Sequence, residues 1–148
     1  MIKITRAVEE DLQGVFLLLK TVDLPKEGVT EHFHTFFVAR DGDLIVGCIG
    51  IEIYSAPPDP SIGLLRSVAV HPSFQGKGIG HQLVEKIHEF SNQEDLKEVY
   101  LLTETAEHYF PKFGYVIIPR EEADPKIKQS VEFTTLCIDS PLMKKSLV

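Results

Sequence analysis

The stretch VAVHPSFQGKGIGHQLV, residues 68–84, runs from an apolar strand-like segment through three glycines in five positions into a helix-like one. Bare backbone between a strand end and a helix start leaves several N–H groups pointing outward at the positive end of the helix dipole. A diphosphate suits such a place. A Walker loop would need GxxxxGK followed by Ser or Thr, and a dinucleotide fingerprint would need GxGxxG. Gly76, Gly78 and Gly80 satisfy neither spacing. A plain tight turn is the bland alternative, and the flanking strand and helix count against it.

Outward from the loop, LLRSVAV (64–70) is apolar on both alternating faces, as a central strand covered on both sides should be, with Arg66 and Ser67 as exceptions. Downstream, Ile79, Leu83, Ile87 and Phe90 form a stripe opposite His81, Gln82, Glu85 and Glu89, which predicts an amphipathic helix. IKITRA alternates like a strand, and Leu12, Val15, Phe16 and Leu19 recur at helical spacing after an acidic first turn. A helical turn is read around Glu31 to Phe33. FFVAR, the turn pair Asp41 and Gly42, and LIVGCIGIEIY predict a hairpin, followed by a rigid surface loop SAPPDPS. LKEVYLLT reads as a strand and TAEHYFPKFGY as a short helix ending at Gly114, with Pro111 shortening or kinking it. YVIIP and VEFTTLCI are expected to close the sheet. This order predicts a mixed α/β sandwich, one domain over residues 1–148.

The chain has 148 residues and 43% hydrophobic content, enough for one buried core. Its net charge of −7, with no Lys/Arg run longer than Lys144 and Lys145, weighs against nucleic-acid binding. No apolar run approaches the roughly 20 residues of a membrane helix, and Met1 opens no signal-like pattern. A cytoplasmic protein that does not bind membranes is expected. Cys48 and Cys137 lie in separate apolar stretches without partners at metal or redox spacing. Both read as buried thiols, and no metal is expected.

Gln75, Gly78 and Gly80 match, in place, the Gln/Arg-x-x-Gly-x-Gly/Ala signature of the GNAT superfamily of acyl-CoA-dependent N-acyltransferases. The chain resembles that family over most of its length: VAVHP before the loop, the helix after it, LKEVYLLT, Ala106 and the FGY at 113–115. The resemblance implies an α/β fold with a mixed, mostly antiparallel sheet flanked by helices on both faces. It implies acetyl-CoA as cosubstrate, with Gln75, Gly76, Lys77, Gly78, Ile79 and Gly80 around the pyrophosphate and Lys77 only supporting. Val68, Ala69 and Val70 would line the pantetheine arm, and Thr103, Ala106 and Phe110 would complete the cofactor site. Analogy with relatives also suggests a homodimer.

Acetyl transfer needs a neutral amine, a polarised thioester carbonyl and a proton for the departing thiolate. The family's usual acid, a tyrosine four residues before the helix-ending glycine, is replaced here by Phe110. Tyr109 is a displaced candidate acid, or simply a half-buried aromatic. LLRSVAV carries no carboxylate to act as base, so Glu104 and Glu52 are the substitutes. Arg66 interrupts the most apolar strand, where an unpaired cation is expensive. It reads either as the structural partner of Glu52 or Glu132, or, with Ser67, as the holder of a substrate carboxylate. LLRSVAVHP, LLTETAEHYFPKFGY and IIPREEADPKIKQ are similar to the acetyltransferase domain of N-acetylglutamate synthases. With SVEFTTLC, the stretch is more similar still to small N-acetyltransferases associated with arsenic resistance. These resemblances imply a small, amino-acid-like amine acceptor; a protein or peptide acceptor and a silent acyl-CoA-binding module are the alternatives.

Overall fold

The computed structural model describes residues 1–103 and 106–148. Its strands pair in the order β1-β2-β3-β4-β5-β7-β6. The ladders registered are antiparallel except the parallel pairing of β4 with β5. The chain divides into two compact units, Met1–Glu52 with Arg66–Phe90 and Ile53–Leu65 with Ser91–Val148.

In the first unit, β1 (Ile2–Arg6) runs antiparallel to β2 (Phe36–Asp41), which pairs antiparallel with β3 (Leu44–Ala56) around the predicted Asp41–Gly42 turn. Helix α1 (Leu12–Thr21) follows a 3-10 turn at Glu9–Asp11 and buries Val15, Leu18 and Leu19. These pack with Phe36, Val38, Cys48 and Ala69. Helix α2 (Val29–His32) is the single turn expected near Glu31. Gly50 is required by close approach, since a Cβ there would lie 2.2 Å from the Phe36 ring. The unit continues with the second half of β4 (Asp59–Val70), from Arg66 on, and with α3 (Ile79–Gln93) as far as Phe90. Ile79, Leu83, Ile87 and Phe90 are all buried while His81, Gln82, Glu85 and Glu89 are exposed, as the apolar stripe predicts.

In the second unit the first half of β4 pairs in parallel with β5 (Glu98–Leu102), from Ile62↔Glu98 to Leu65↔Leu101. Antiparallel pairs then join β5 to β7 (Leu142–Ser146) and β7 to β6 (Val116–Ile118). Helix α4 (Pro125–Lys128) is capped by the Asp124 carboxylate, which accepts from the Lys126 N–H at 2.9 Å. Ile62, Leu64, Tyr100, Ile127 and Leu142 form this unit's core.

Four expectations are corrected. VEFTTLCI does not close the sheet: Glu132–Leu136 is a π-helical turn, and β7 supplies the last strand. The reason is local capping plus one tertiary clamp. Ser130 Oγ accepts from Phe133 N–H, Thr134 Oγ1 donates back to the Ser130 carbonyl, and Arg120 takes the carbonyls of Phe133, Cys137 and Ser140. Those groups are thereby withdrawn from strand pairing. The helix expected in TAEHYFPKFGY shrinks to a 3-10 turn, Phe110–Phe113, because Pro111 opens it and Gly114 at φ 96° ends it. The loop SAPPDPS is shorter than expected, since β3 extends to Ala56 and β4 starts at Asp59. Cys48 is buried as expected, whereas Cys137 is half-buried.

Candidate functional site

The glycine loop is built on its own strand. The His71 N–H donates to the Val46 carbonyl at 2.8 Å, and its Nδ1 accepts from the Ser73 N–H at 3.1 Å, starting the 3-10 turn Pro72–Phe74. Gln75 Nε2 then donates to the Val70 carbonyl at 3.1 Å, folding the loop back on the end of β4. Gly76 and Gly78 have φ 79° and 81°, the left-handed region that favours glycine. A Cβ at either would meet nothing within 4 Å, so the backbone angle demands glycine while the space above it is open. The Gln82 N–H donates to the Gly78 carbonyl at 3.1 Å as α3 begins, and buried Ile79 anchors that first turn. The turn's amides have no intrahelical acceptor. Such a cradle fits a pyrophosphate.

Around the loop, Gln75, Gly76, Lys77 and Gly78 are exposed and Gly80 is half-buried. The Lys77 ammonium stands 5.3 Å from the centre of the Phe74 ring. Val68 and Val70 are half-buried, and alternation turns Ala69 into the core of the first unit, leaving only its backbone for a ligand.

At Arg66 the structure decides between the partners that the sequence left open. Its Nη1 donates to Glu52 Oε2 at 2.8 Å, and both side chains are buried, at 0% and 1% exposure. Nε donates to Ser67 Oγ at 3.2 Å. Nη2 is buried and has no hydrogen-bond partner among the described residues. A buried guanidinium that keeps one donor unmet forgoes about 1–3 kcal/mol, so an incoming oxygen is favoured there. Ser67 itself is left-handed, at φ 58°, which interrupts the strand geometry just where the registered pairing with β5 ends. The Cys48 thiol donates to the Ser67 carbonyl at 3.2 Å and steadies this kink; burial pushes that thiol up to about 12, so it stays protonated. Glu52 is therefore engaged by Arg66, and its other oxygen, Oε1, stands 3.7 Å from His32 Nε2.

In the second unit, the Thr103 hydroxyl accepts from the Ala106 N–H at 3.0 Å, closing the chain after β5. Glu104, the candidate base in this stretch, lies outside the described residues. Tyr109 is half-buried, its ring 5.3 Å and 5.4 Å from those of Phe110 and Phe113, and the Lys112 ammonium sits 4.0 Å over it. Burial pushes the Tyr109 hydroxyl up, which keeps it a proton donor at neutral pH. Phe110 is buried between Tyr109 and Tyr115. Among the described residues no group of three or more His, Cys, Asp or Glu is placed to hold a metal ion, and no helix is long and apolar enough to cross a membrane.

A residue of the candidate site that the sequence does not mark is His32, beside Glu52. Nothing in its neighbourhood marks it, although Glu52, a lone charge in the apolar run IGIEIY, carries the same warning as Arg66 in its strand.

The chain belongs to the GNAT acetyltransferases: residues 32–117 match the acetyltransferase (GNAT) domain. It is thus an acyl-CoA-dependent N-acetyltransferase, with acetyl-CoA as cosubstrate. An uncharacterised N-acetyltransferase of Chlorobaculum tepidum is 36% identical over 120 residues, 81% of this chain and 72% of that protein. An amino-acid acetyltransferase of Vibrio atlanticus is 24% identical over 87% of this chain and 30% of its own length. The N-acetylglutamate synthase of Neisseria gonorrhoeae, solved with coenzyme A and N-acetyl-glutamate, superposes with a TM-score of 0.84 at 17% identity, over 100% of this chain and 35% of that one. That likeness shows the fold. The chain spans only about a third of the synthase and of the amino-acid acetyltransferase.

Proposed function

We propose that this protein acetylates the amino group of a small, amino-acid-like acceptor by direct transfer within a ternary complex, holding the acceptor's carboxylate with Arg66 and Ser67. The unpartnered, buried Nη2 of Arg66 carries the reading. The Glu52 pair occupies Nη1 and cancels the guanidinium's net charge, so the expected two-pronged grip from one arginine is replaced by a shared one. Nη2 gives one hydrogen bond. The Ser67 hydroxyl, already accepting from Nε, has its own hydrogen to give as the second.

In this reading the amides of Gln75 to Gly80 receive the pyrophosphate, with Lys77 adding charge, and the backbone of Val68 to Val70 meets the pantetheine arm. Acetyl-CoA, when bound, supplies an activated acetyl carbonyl. Thr103 offers its hydroxyl near the arm, Ala106 and Phe110 shape the cofactor's surroundings, and Tyr109 returns a proton to the thiolate. The amino-acid acetyltransferase of Vibrio atlanticus supports an amino-acid acceptor by likeness only.

The test is thiol release over free amino acids, polyamines and peptides, for the wild type and Arg66→Lys. A lysine keeps a counter-charge for Glu52 and loses the Nη2 donor. The expected result is turnover of a carboxylate-bearing amine whose KM rises at least about tenfold in the variant, the equivalent of one lost hydrogen bond to a charged group. Turnover confined to peptides or polyamines, or an unchanged KM, would overturn the carboxylate grip. For the loop, Gly78→Glu is expected to abolish coenzyme A binding in a calorimetric titration, because it sets a like charge in the anion cradle.

A further inference from the structure

Glu52 is a buried carboxylate with the Arg66 guanidinium on one oxygen and the His32 imidazole beside the other. Oε2 is satisfied by Arg66 Nη1 at 2.8 Å, while Oε1 faces His32 Nε2 at 3.7 Å. His32 is not needed to neutralise Glu52, since Arg66 does so. Its side chain is 27% exposed where that of Glu52 is 1% exposed, so the imidazole joins the buried pair to accessible space.

The backbone holds it there. His32 ends α2, with φ −115° and ψ 13°, and its carbonyl accepts from Thr35 Oγ1 at 3.0 Å. The same hydroxyl also bonds the carbonyl of Ile51, the residue immediately before Glu52 on β3. Thr35, at 4% exposure, therefore ties the turn that carries the imidazole to the strand that carries the carboxylate.

We propose that His32 accepts the proton which the acceptor's ammonium group must lose before it can attack, with Glu52 as the positioning residue that orients the imidazole and balances its charge. The inference rests on the reading of Arg66 and Ser67 as the acceptor's anchor. One carboxylate, Glu52, stands against both the arginine and the histidine, so the anchor and the base share a neighbour. Of the charged groups among the described residues, Glu52 stands directly against His32 and Arg66 stands behind Glu52. With Nε2–H toward Glu52, Nδ1 is the accepting atom. An ammonium N–H bond breaks, its electron pair stays on nitrogen, and the proton bonds to Nδ1. The imidazolium so formed is stabilised by the carboxylate and later releases the proton to water. Over the turnover, the ammonium's three protons end one on the amide nitrogen, one on the thiol and one in solvent.

The test uses acceptors that differ in whether they need a base. Aminooxyacetate carries a carboxylate and a nitrogen that is already unprotonated at neutral pH; an α-amino acid arrives as an ammonium. The expected result for His32→Gln is a fall in kcat of about 100-fold with the α-amino acid, typical for a lost general base, and a change below about threefold with aminooxyacetate. Added imidazole is expected to restore part of the α-amino-acid rate to His32→Ala. An equal loss with both acceptors and no rescue would show a structural role and overturn the proposal, as would unchanged kcat with the α-amino acid. A wild type that acetylates only amines without a carboxylate sinks the acceptor reading instead. His32 is then judged by the same variant-to-wild-type ratio on a protonated amine against an unprotonated one. A wild type that acetylates no amine overturns both.

Discussion

Arg66 shows how far a single residue can be read before its neighbours are known. A charge in an apolar strand announces that a partner exists, because an unpaired buried ion is untenable. It does not say which partner: Glu52 and Glu132 were equally available, and only tertiary structure selects Glu52, 2.8 Å away. The same physics sets what happens when the pair is cut. Arg66→Ala leaves Glu52 buried at 1% exposure without its main counter-charge, and breaking such a pair typically costs about 3–5 kcal/mol. Replacing both residues, as in Arg66→Met with Glu52→Gln, removes the stranded charge. The double variant is expected to be more stable than Arg66→Ala, measured by urea unfolding, while remaining without acceptor affinity. A single variant as stable as the wild type would mean that Glu52 is already solvated, and the orphaned Nη2 would lose its significance. His32 was illegible for a simpler reason: a histidine at the end of one helical turn has no pattern around it, and its meaning arises only where β3 brings Glu52 beneath it.

At the scale of elements, legibility followed periodicity. Helix α3 and strands β2 to β5 were readable because their apolar spacing is both local and repeated. The last strand was not. VEFTTLCI has the β-branched and aromatic content of a strand, whereas LMKKS carries two lysines, yet the second is β7. The Arg120 guanidinium, holding three carbonyls between Phe133 and Ser140, outweighs intrinsic preference there. A second arginine couples elements in a way that pH can probe. Arg40 on β2 donates from Nη1 and Nη2 to both oxygens of Asp11, at 2.9 and 2.8 Å, fastening the start of α1. The Arg40 hydrogen bonds hold the Asp11 carboxyl below its ordinary 3.8; burial opposes them and the Val8 N–H assists. A carboxyl lowered on folding contributes stability that is present above its unfolded value and is lost as pH falls through the folded one. Urea midpoints should therefore drop below about pH 4, and Asp11→Asn should be less stable at pH 7 yet show a shallower acid decline. Parallel pH curves for the two proteins would remove this pair from the account.

For the whole molecule, the informative quantity is a mismatch of charge. A chain of net charge −7 and sequence pI near 5.3 binds a cosubstrate whose phosphates are strongly anionic. Proteins that hold phosphates with lysine and arginine lose affinity steeply as salt rises, because each cation's attraction is screened. In the proposed site the cradle consists of main-chain amides at Gln75 to Gly80 and the first turn of α3, and Lys77 is the loop's one cationic side chain. Amide dipoles act over a few ångströms and are little affected by a Debye length of about 8 Å, whereas the repulsion between the acidic chain and the anionic ligand acts at longer range. The two mechanisms thus predict opposite signs. With the acceptor saturating, kcat/KM for acetyl-CoA should hold or rise as sodium chloride goes from about 0.05 to 0.3 M, and Lys77→Gln should lower it by less than about threefold. A zwitterionic acceptor should show the same indifference to salt, while a basic peptide, drawn in by the chain's charge, should react more slowly at the higher salt. A steep fall for acetyl-CoA would point to a cationic surface as the phosphate holder, and the glycines that decide the reading of residues 68–84 would then be only a turn.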